Sequence, residues 1–302
     1  MSERRISEAP IDPRLPYSKG LMARAYMGTG IPPDRAWELA RLVETELGRG
    51  PDAEPAPQDE VYDVAARVLA EHEDEQAVRR LRRFQRLQEL DRPLIVLVGG
   101  ATGTGKSTIT TEVAHRLSIT RVTSTDFVRQ TMRAFFSEDF MPTLHYSSFE
   151  AGPAVLGRHG DPRDAHLRGF LDQTRNVLVG VRAVMERALT EGHSMALEGV
   201  HLVPGMVPGA LDGAIVSQCL IAISDEERHA SHFYVRDLDS EGVRPVAKYI
   251  DSLAEIREIQ EYLVEQAEKA GVPVIENGDR ERAVDEVLRL VLDTFEPAAV
   301  SV

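Results

Sequence analysis

Apolar residues change their spacing near Asp91. Upstream they recur at helical intervals. Ala36, Leu39, Ala40, Val43 and Leu47 share one face of 33–47, and further helices are predicted over 60–71 and 74–90. The stretch "GRGPDAEPAPQDE" (48–60), rich in proline and acids, breaks regular structure between them. Downstream, short apolar runs alternate with longer amphipathic ones. Strands are predicted at 94–98, 121–124, 194–198, 215–223 and 272–275, and helices at 105–117, 127–136, 164–190, 247–270 and 279–294. Such alternation predicts an α/β fold built on a parallel sheet flanked by helices. The expected division is a small, mostly helical domain over 1–90 and a larger α/β domain over 91–302.

The first strand runs into "GGATGTGKST" (99–108) and then into a helix. Strand, G-x-x-x-x-G-K-[ST] and helix together form the P-loop context. Glycines let successive N–H groups turn inward around an anion, and the helix N-terminus adds its dipole. Gly100, Thr102, Gly103, Thr104, Gly105, Lys106, Ser107 and Thr108 are therefore the predicted nucleotide-binding residues. Lys106 is expected at the β/γ-phosphates and Ser107 as a Mg²⁺ ligand, with ATP or GTP as the nucleotide.

Three later segments carry candidate chemistry. "TRVTSTDFVRQTMR" (120–133) places Asp126 at the end of a strand expected beside the P-loop strand, where ligands gather in α/β sheets. Asp126 is read there as the catalytic carboxylate that accepts an acceptor hydroxyl's proton, or as a helix cap. Arg129 and Arg133 follow on one helical face as contacts for an anionic acceptor. In "HSMALEGVHLVPG" (193–205), Glu198 ends a strand, either near the Mg²⁺ water shell or acceptor or as a solvated strand end; His201 is a weaker candidate. "SDEERHASHFYVRDLDSEGVRPVAKYID" (224–251) reads as an arginine lid or as a solvated helix face. Its candidates are Arg228, His232, Arg236 and Arg244, with Arg236 assigned to the transferring phosphoryl group. The irregular run 136–152 contributes His145, Tyr146 and Ser147 as further acceptor contacts.

Composition narrows the partners. The 302 residues carry a net charge of −14, which argues against a nucleic-acid groove. No apolar run approaches the ~20 residues of a membrane span. Met1-Ser2-Glu3-Arg4-Arg5 is not followed by an apolar leader segment, so no secretory signal is expected. The single cysteine, Cys219, lies in an apolar run and is expected in the core. A soluble, cytoplasmic protein is the expectation, with a homo-oligomer left open.

"GGATGTGKST", "TRVTSTDFVRQTMRAFF", "LHYSSFEA", "ALEGVHLVPG" and "GVPVIEN" together resemble the 2-phosphoglycerate kinase family over about residues 91–280. That resemblance implies ATP and Mg²⁺ as cofactors and a small anionic phosphorylated acceptor. It implies transfer to the 3-hydroxyl of 2-phosphoglycerate, giving 2,3-bisphosphoglycerate. Residues 15–47 and 60–87 resemble an ATP-cone module, which implies a regulatory nucleotide; a packing or subunit-joining role is the alternative. A kinase of another acceptor, such as an inositol phosphate, and a nucleotide-dependent switch without an acceptor also stay open at this point.

Overall fold

In the computed structural model, residues 14–15, 17–48, 56–89, 92–156, 164–239 and 246–294 are described. The chain divides into two units, residues 1–88 and 89–302.

The first unit is mostly helical. A two-residue strand β1 (Arg14–Leu15) pairs antiparallel with β2 (Ala56–Pro57). Four helices accompany it: α1 (Lys19–Gly28), α2 (Pro33–Glu46), α3 (Gln58–His72) and α4 (Glu75–Glu89). The periodicity of 33–47 is met by α2, which buries Ala36, Leu39, Ala40 and Val43. Helix α1 was not anticipated, since its alanines, methionines and glycine give a weak pattern. It is nevertheless fixed by Ser18, whose side chain caps it, and by Tyr26, whose hydroxyl donates to the Ala65 carbonyl at 3.1 Å. This helical content does not by itself identify an ATP-cone.

The second unit is a five-stranded parallel sheet between helices. Its strands are β3 (Leu94–Gly99), β4 (Arg121–Ser124), β5 (Met195–Gly199), β6 (Ile215–Ala222) and β7 (Val274–Glu276), in the order β4-β5-β3-β6-β7. The helices are α5 (Lys106–Arg116), α6 (Thr125–Phe135), α7 (Ala165–Thr190), α8 (Glu226–Asp239), α9 (Val246–Asp251), α10 (Leu253–Ala270) and α11 (Arg280–Asp293). Strand β3 is buried along its whole length because helices cover both faces, as its unbroken run of apolar residues requires. Burying each such side chain contributes ~1.5–3 kcal/mol. Cys219 sits in this core, and burial pushes its thiol pKa up to about 12.

Two sequence expectations change, the place of β4 in the sheet and the continuity of the helix over 247–270. The strand ahead of Asp126 is not beside the P-loop strand: β5 lies between β4 and β3. Strand order is a non-local property that the pattern of one strand does not carry. The run 224–251 forms helix α8 in its first half, capped by Asp225, whose carboxylate accepts from the Arg228 N–H at 2.7 Å. The helix expected over 247–270 is interrupted at Ser252, dividing α9 from α10. The irregular run 136–152 contains short 3₁₀ turns at Pro142–His145 and Ser148–Glu150, with a third at Gly152–Val155.

Candidate active site

The P-loop joins β3 to α5. Gly103 and Gly105 have φ of +87° and +82°, a backbone region that favours glycine. A side chain at either would also collide: a Cβ on Gly103 would come 2.4 Å from the Phe233 ring, and one on Gly105 2.4 Å from the Asn277 amide. Lys106 Nζ donates to the Ala101 carbonyl at 3.2 Å, holding the lysine folded back over the loop.

Glu198 enters this loop from β5, in register with Val98 of β3. The Ser107 hydroxyl donates to Glu198 Oε1 at 3.0 Å. Among the described residues Glu198 Oε2 is buried without a hydrogen-bond partner, with Lys106 Nζ 4.0 Å away. An orphaned carboxylate oxygen beside a hydroxyl and the phosphate loop is an oxygen-only donor set suited to a hard divalent cation. The residues present therefore fit Mg²⁺.

Asp126 stands in the first turn of α6. It is not the cap of that helix; Ser124 is, accepting from the Phe127 N–H at 3.1 Å. Asp126 Oδ1 instead accepts from Arg129 Nε at 3.3 Å. Its surroundings act in opposite directions. Partial desolvation raises its pKa, while His201, Arg129 and Lys106 together hold it below the ordinary carboxylate value. Its side chain is 66% exposed, so water screens these interactions.

Behind Asp126 lies a buried hydrogen-bond chain. Gln173 donates through its amide to the carbonyls of Thr143 and Tyr146, so its oxygen is left to accept from His201 Nε2 at 2.8 Å. With Nε2 donating, neutral His201 accepts at Nδ1 from the Thr125 hydroxyl, also at 2.8 Å. Burial lowers the His201 pKa to about 4, and Asp126 opposes that shift. At neutral pH the imidazole is uncharged, which leaves Arg129 and Lys106 as the lasting positive neighbours of Asp126.

Arg129 Nη1 donates to the carbonyls of Leu144 at 2.9 Å and Tyr146 at 3.0 Å. Arg129 thus clasps the turn carrying His145 and Tyr146 as well as Asp126. It opens with Arg133, His145, Tyr146 and Lys248 onto a polar cleft of ≈ 520 Å³. His145 Nε2 is 2.9 Å from the Phe136 carbonyl, to which it donates. Lys248 reaches across from α9, pairing with Glu150 at 2.6 Å and Ser147 Oγ at 3.3 Å. A second cleft of ≈ 480 Å³, lined by Val122, Phe127, Met132 and Val184, is mostly apolar, and its two arginines, Arg121 and Arg187, are both paired with Glu191.

The sequence candidates are thus brought together in part. Lys106, Ser107 and Glu198 meet at the P-loop. Arg129, Arg133, His145 and Tyr146 line the polar cleft, and Asp126 is joined to it through its bond to Arg129. His232 does not stand free in a lid: its Nδ1 donates to the Gly103 carbonyl at 3.0 Å. Arg228 is exposed on α8, with its guanidinium near Gly278. The side chain of Arg236 and the whole of Arg244 lie outside the described residues. Lys248 was read only among the basic residues of the run 224–251, and sequence reasoning passed over Gln173 and Asn277 as site residues. Only Asn277 carried a signal, as the last residue of "GVPVIEN" just after a strand.

No family model matches the chain. Curated relatives do. The 2-phosphoglycerate kinase of Methanopyrus kandleri is 37% identical over 278 residues, covering 92% of this chain and 84% of its own. That of Methanothermobacter thermautotrophicus is 35% identical, covering 92% and 91%. That of Thermococcus kodakarensis is 35% identical, covering 99% and 98%. A solved structure from Thermus thermophilus aligns with 68% of this chain and 100% of its own at 20% identity and a TM-score of 0.43, too slight a likeness to carry an argument. Identity of this level over nearly the whole length, in both the P-loop unit and the helical unit, shows that the chain belongs to the 2-phosphoglycerate kinase family.

Proposed function

We propose that the protein transfers the γ-phosphoryl group of ATP to the 3-hydroxyl of 2-phosphoglycerate, giving ADP and 2,3-bisphosphoglycerate. The observation that carries this reading is the cleft lined by Arg129, Arg133 and Lys248, with Arg129 bonded to Asp126 on α6. A phosphorylated carboxylic acid needs such cations, and planar guanidinium groups suit both its carboxylate and its phosphate. The chain as a whole is acidic, yet in this cleft Arg129, Arg133 and Lys248 face the two carboxylates Glu150 and Glu255.

In the proposed reaction the P-loop amides and Lys106 hold the β- and γ-phosphates. Ser107 and Glu198 would hold Mg²⁺, which when bound neutralises charge developing on the transferring group. Asp126 faces the acceptor hydroxyl. A carboxylate held below its ordinary pKa is a weak base but a good acceptor of a hydrogen bond. It therefore orients the hydroxyl and takes its proton late, as the new oxygen–phosphorus bond forms and the bond to the ADP leaving oxygen breaks. Arg236 remains the lid residue proposed for the transferring phosphoryl group.

The direct test is ³¹P NMR of the protein with Mg·ATP and 2-phosphoglycerate. Appearance of 2,3-bisphosphoglycerate with stoichiometric ADP is expected. ADP release that is indifferent to 2-phosphoglycerate, but stimulated by an inositol phosphate, would replace this acceptor with the other.

A further inference from the structure

The P-loop is braced from outside through its carbonyl groups. His229 Nε2 donates to the Thr102 carbonyl at 2.8 Å, and His232 Nδ1 to the Gly103 carbonyl at 3.0 Å. Asn277 Nδ2 donates to the Thr104 carbonyl at 2.9 Å. The Ala101 carbonyl accepts from Lys106 Nζ and from the Thr104 hydroxyl. Four consecutive carbonyls, 101–104, are thereby fixed. A peptide's C=O and the following N–H point in opposite directions. Tying the carbonyls of 102–104 outward therefore turns the N–H groups of residues 103–105 toward the loop interior, while the Ala101 carbonyl is held by groups of the loop itself. The Thr104 N–H meets the Ala101 carbonyl only at 3.5 Å, a weak contact that a phosphate oxygen can replace.

The bracing answers a weakness of the loop. Gly103 and Gly105 make peptide rotation cheap, and each rotation turns a donor away and a carbonyl in. Donors held ready for an anion bind it better than donors that must reorganise. The braces are themselves well placed. His229 and His232 are three residues apart on α8, so they share a face. Phe233 stacks on His229 with ring centroids 5.6 Å apart and packs under Gly103. Asn277 follows β7 directly and is buried. His229 Nδ1 is buried without a partner among the described residues. A carbonyl only accepts, so Nε2 carries the proton and the ring is neutral.

We propose that His229, His232 and Asn277 are positioning residues for nucleotide binding, which set the phosphate-facing amides of the P-loop by fixing the carbonyls of Thr102, Gly103 and Thr104. This role requires only that the P-loop binds nucleotide, and it is independent of the identity of the acceptor.

The two histidines use different ring nitrogens, which gives a crossed test. The glutamine amide nitrogen overlays Nε2 of histidine, and the asparagine amide nitrogen overlays Nδ1. His229→Gln and His232→Asn therefore keep the donor, whereas His229→Asn and His232→Gln misplace it. Affinity for ADP is measured by titration calorimetry on the full chain, with the thermal midpoint of each variant recorded alongside. The misplaced-donor variants are expected to weaken ADP binding roughly 5- to 100-fold, the cost of leaving a buried carbonyl unpaired. The matched variants should lose far less, even where their thermal midpoints fall equally. Equal losses within each pair would mean that the rings only pack, and unchanged affinity in all four would also overturn the proposal. Should the histidine variants not fold, Asn277→Asp decides. It keeps the shape of the side chain but presents an acceptor to the Thr104 carbonyl. A folded Asn277→Asp protein with wild-type affinity for ADP refutes the bracing role.

Discussion

The two halves of the active site are built on different principles. The phosphate loop is one contiguous run whose donors are backbone groups. Its ligand contacts depend on peptide orientation, which glycine permits and the surrounding side chains fix. The proposed acceptor cleft is assembled from α6, the turns after it, α7, α9 and α10, and its donors are long side chains. Basic and acidic groups interleave there: Lys248 is held by Glu150, and Glu255 lines the same wall. A loop that recognises a phosphate chain common to many enzymes can be rigid. A cleft that must select one small acid draws its charges from several elements, so the selection can change without rebuilding the sheet.

The sharpest way to break the nucleotide half is Lys106→Ala. It removes the one cation of the loop and its bond to the Ala101 carbonyl. Loss of a preorganised charge at developing negative charge costs at least ~10²–10³-fold. Phosphoryl transfer should fall below detection while the far-ultraviolet circular dichroism is unchanged. Turnover near wild type in a folded variant would remove the P-loop from the chemistry.

Asp126→Asn probes the junction between the halves. It preserves size, and the helix cap belongs to Ser124, so α6 should be intact. A fall in kcat of roughly 10²–10⁴-fold is expected, with ATP affinity retained. If kcat survives, Asp126 serves only to hold Arg129, and Glu198 becomes the leading carboxylate.

The same contrast explains what could be read from the chain. The P-loop was legible because its chemistry is local: strand, glycines, lysine and helix are adjacent in sequence. Glu198 and Asp126 were legible as carboxylates at strand ends. Their spatial order was not, since β5 inserts between β4 and β3 through pairing across about a hundred residues. Arg129 was read as an acceptor contact, yet much of its guanidinium is committed to the carbonyls of Leu144 and Tyr146. Such a bond to backbone leaves no trace in residue type. His232 was read as part of a lid for a similar reason. Spacing shows that His229 and His232 share a face, but not that the face rests on the P-loop.

On the acceptor side a smaller effect is expected from Arg133→Ala. Arg133 lines the cleft but, among the described residues, has no structural bond of the kind that ties Arg129 to the turn. Losing one charge-assisted hydrogen bond should raise the KM for 2-phosphoglycerate roughly 10- to 100-fold. The kcat and the KM for ATP should change little, because the contact is shared by ground and transition states. An equal rise in both KM values would place Arg133 outside the acceptor site. Steady-state kinetics with each substrate varied in turn settles the point.

The smallest effect at neutral pH concerns the buried chain that ties α6 to the turn at 143–146. His201 has a folded-state pKa of about 4, against about 6.5 when unfolded. Below about 6.5 the unfolded chain takes up a proton there that the folded chain refuses. Stability linked to this group is therefore present at pH 7 and is lost as pH falls toward 4. Between pH 7 and pH 5 the loss is about 2 kcal/mol. Asp126 does not confuse this window, because its pKa lies below the ordinary carboxylate value and its contribution is lost only at lower pH. His201→Gln removes the titrating ring but can still accept from Thr125 or donate to Gln173. Urea unfolding at pH 7 and pH 5 should therefore show a smaller acid-side decline in the variant than in the wild type. Parallel declines in the two proteins would mean that His201 is protonated in the folded state at pH 5. The bond chain from Thr125 to the Tyr146 carbonyl would then have a different proton arrangement, with Nδ1 donating to the Thr125 hydroxyl. The acceptor turn would in that case be tied to α6 chiefly through Arg129.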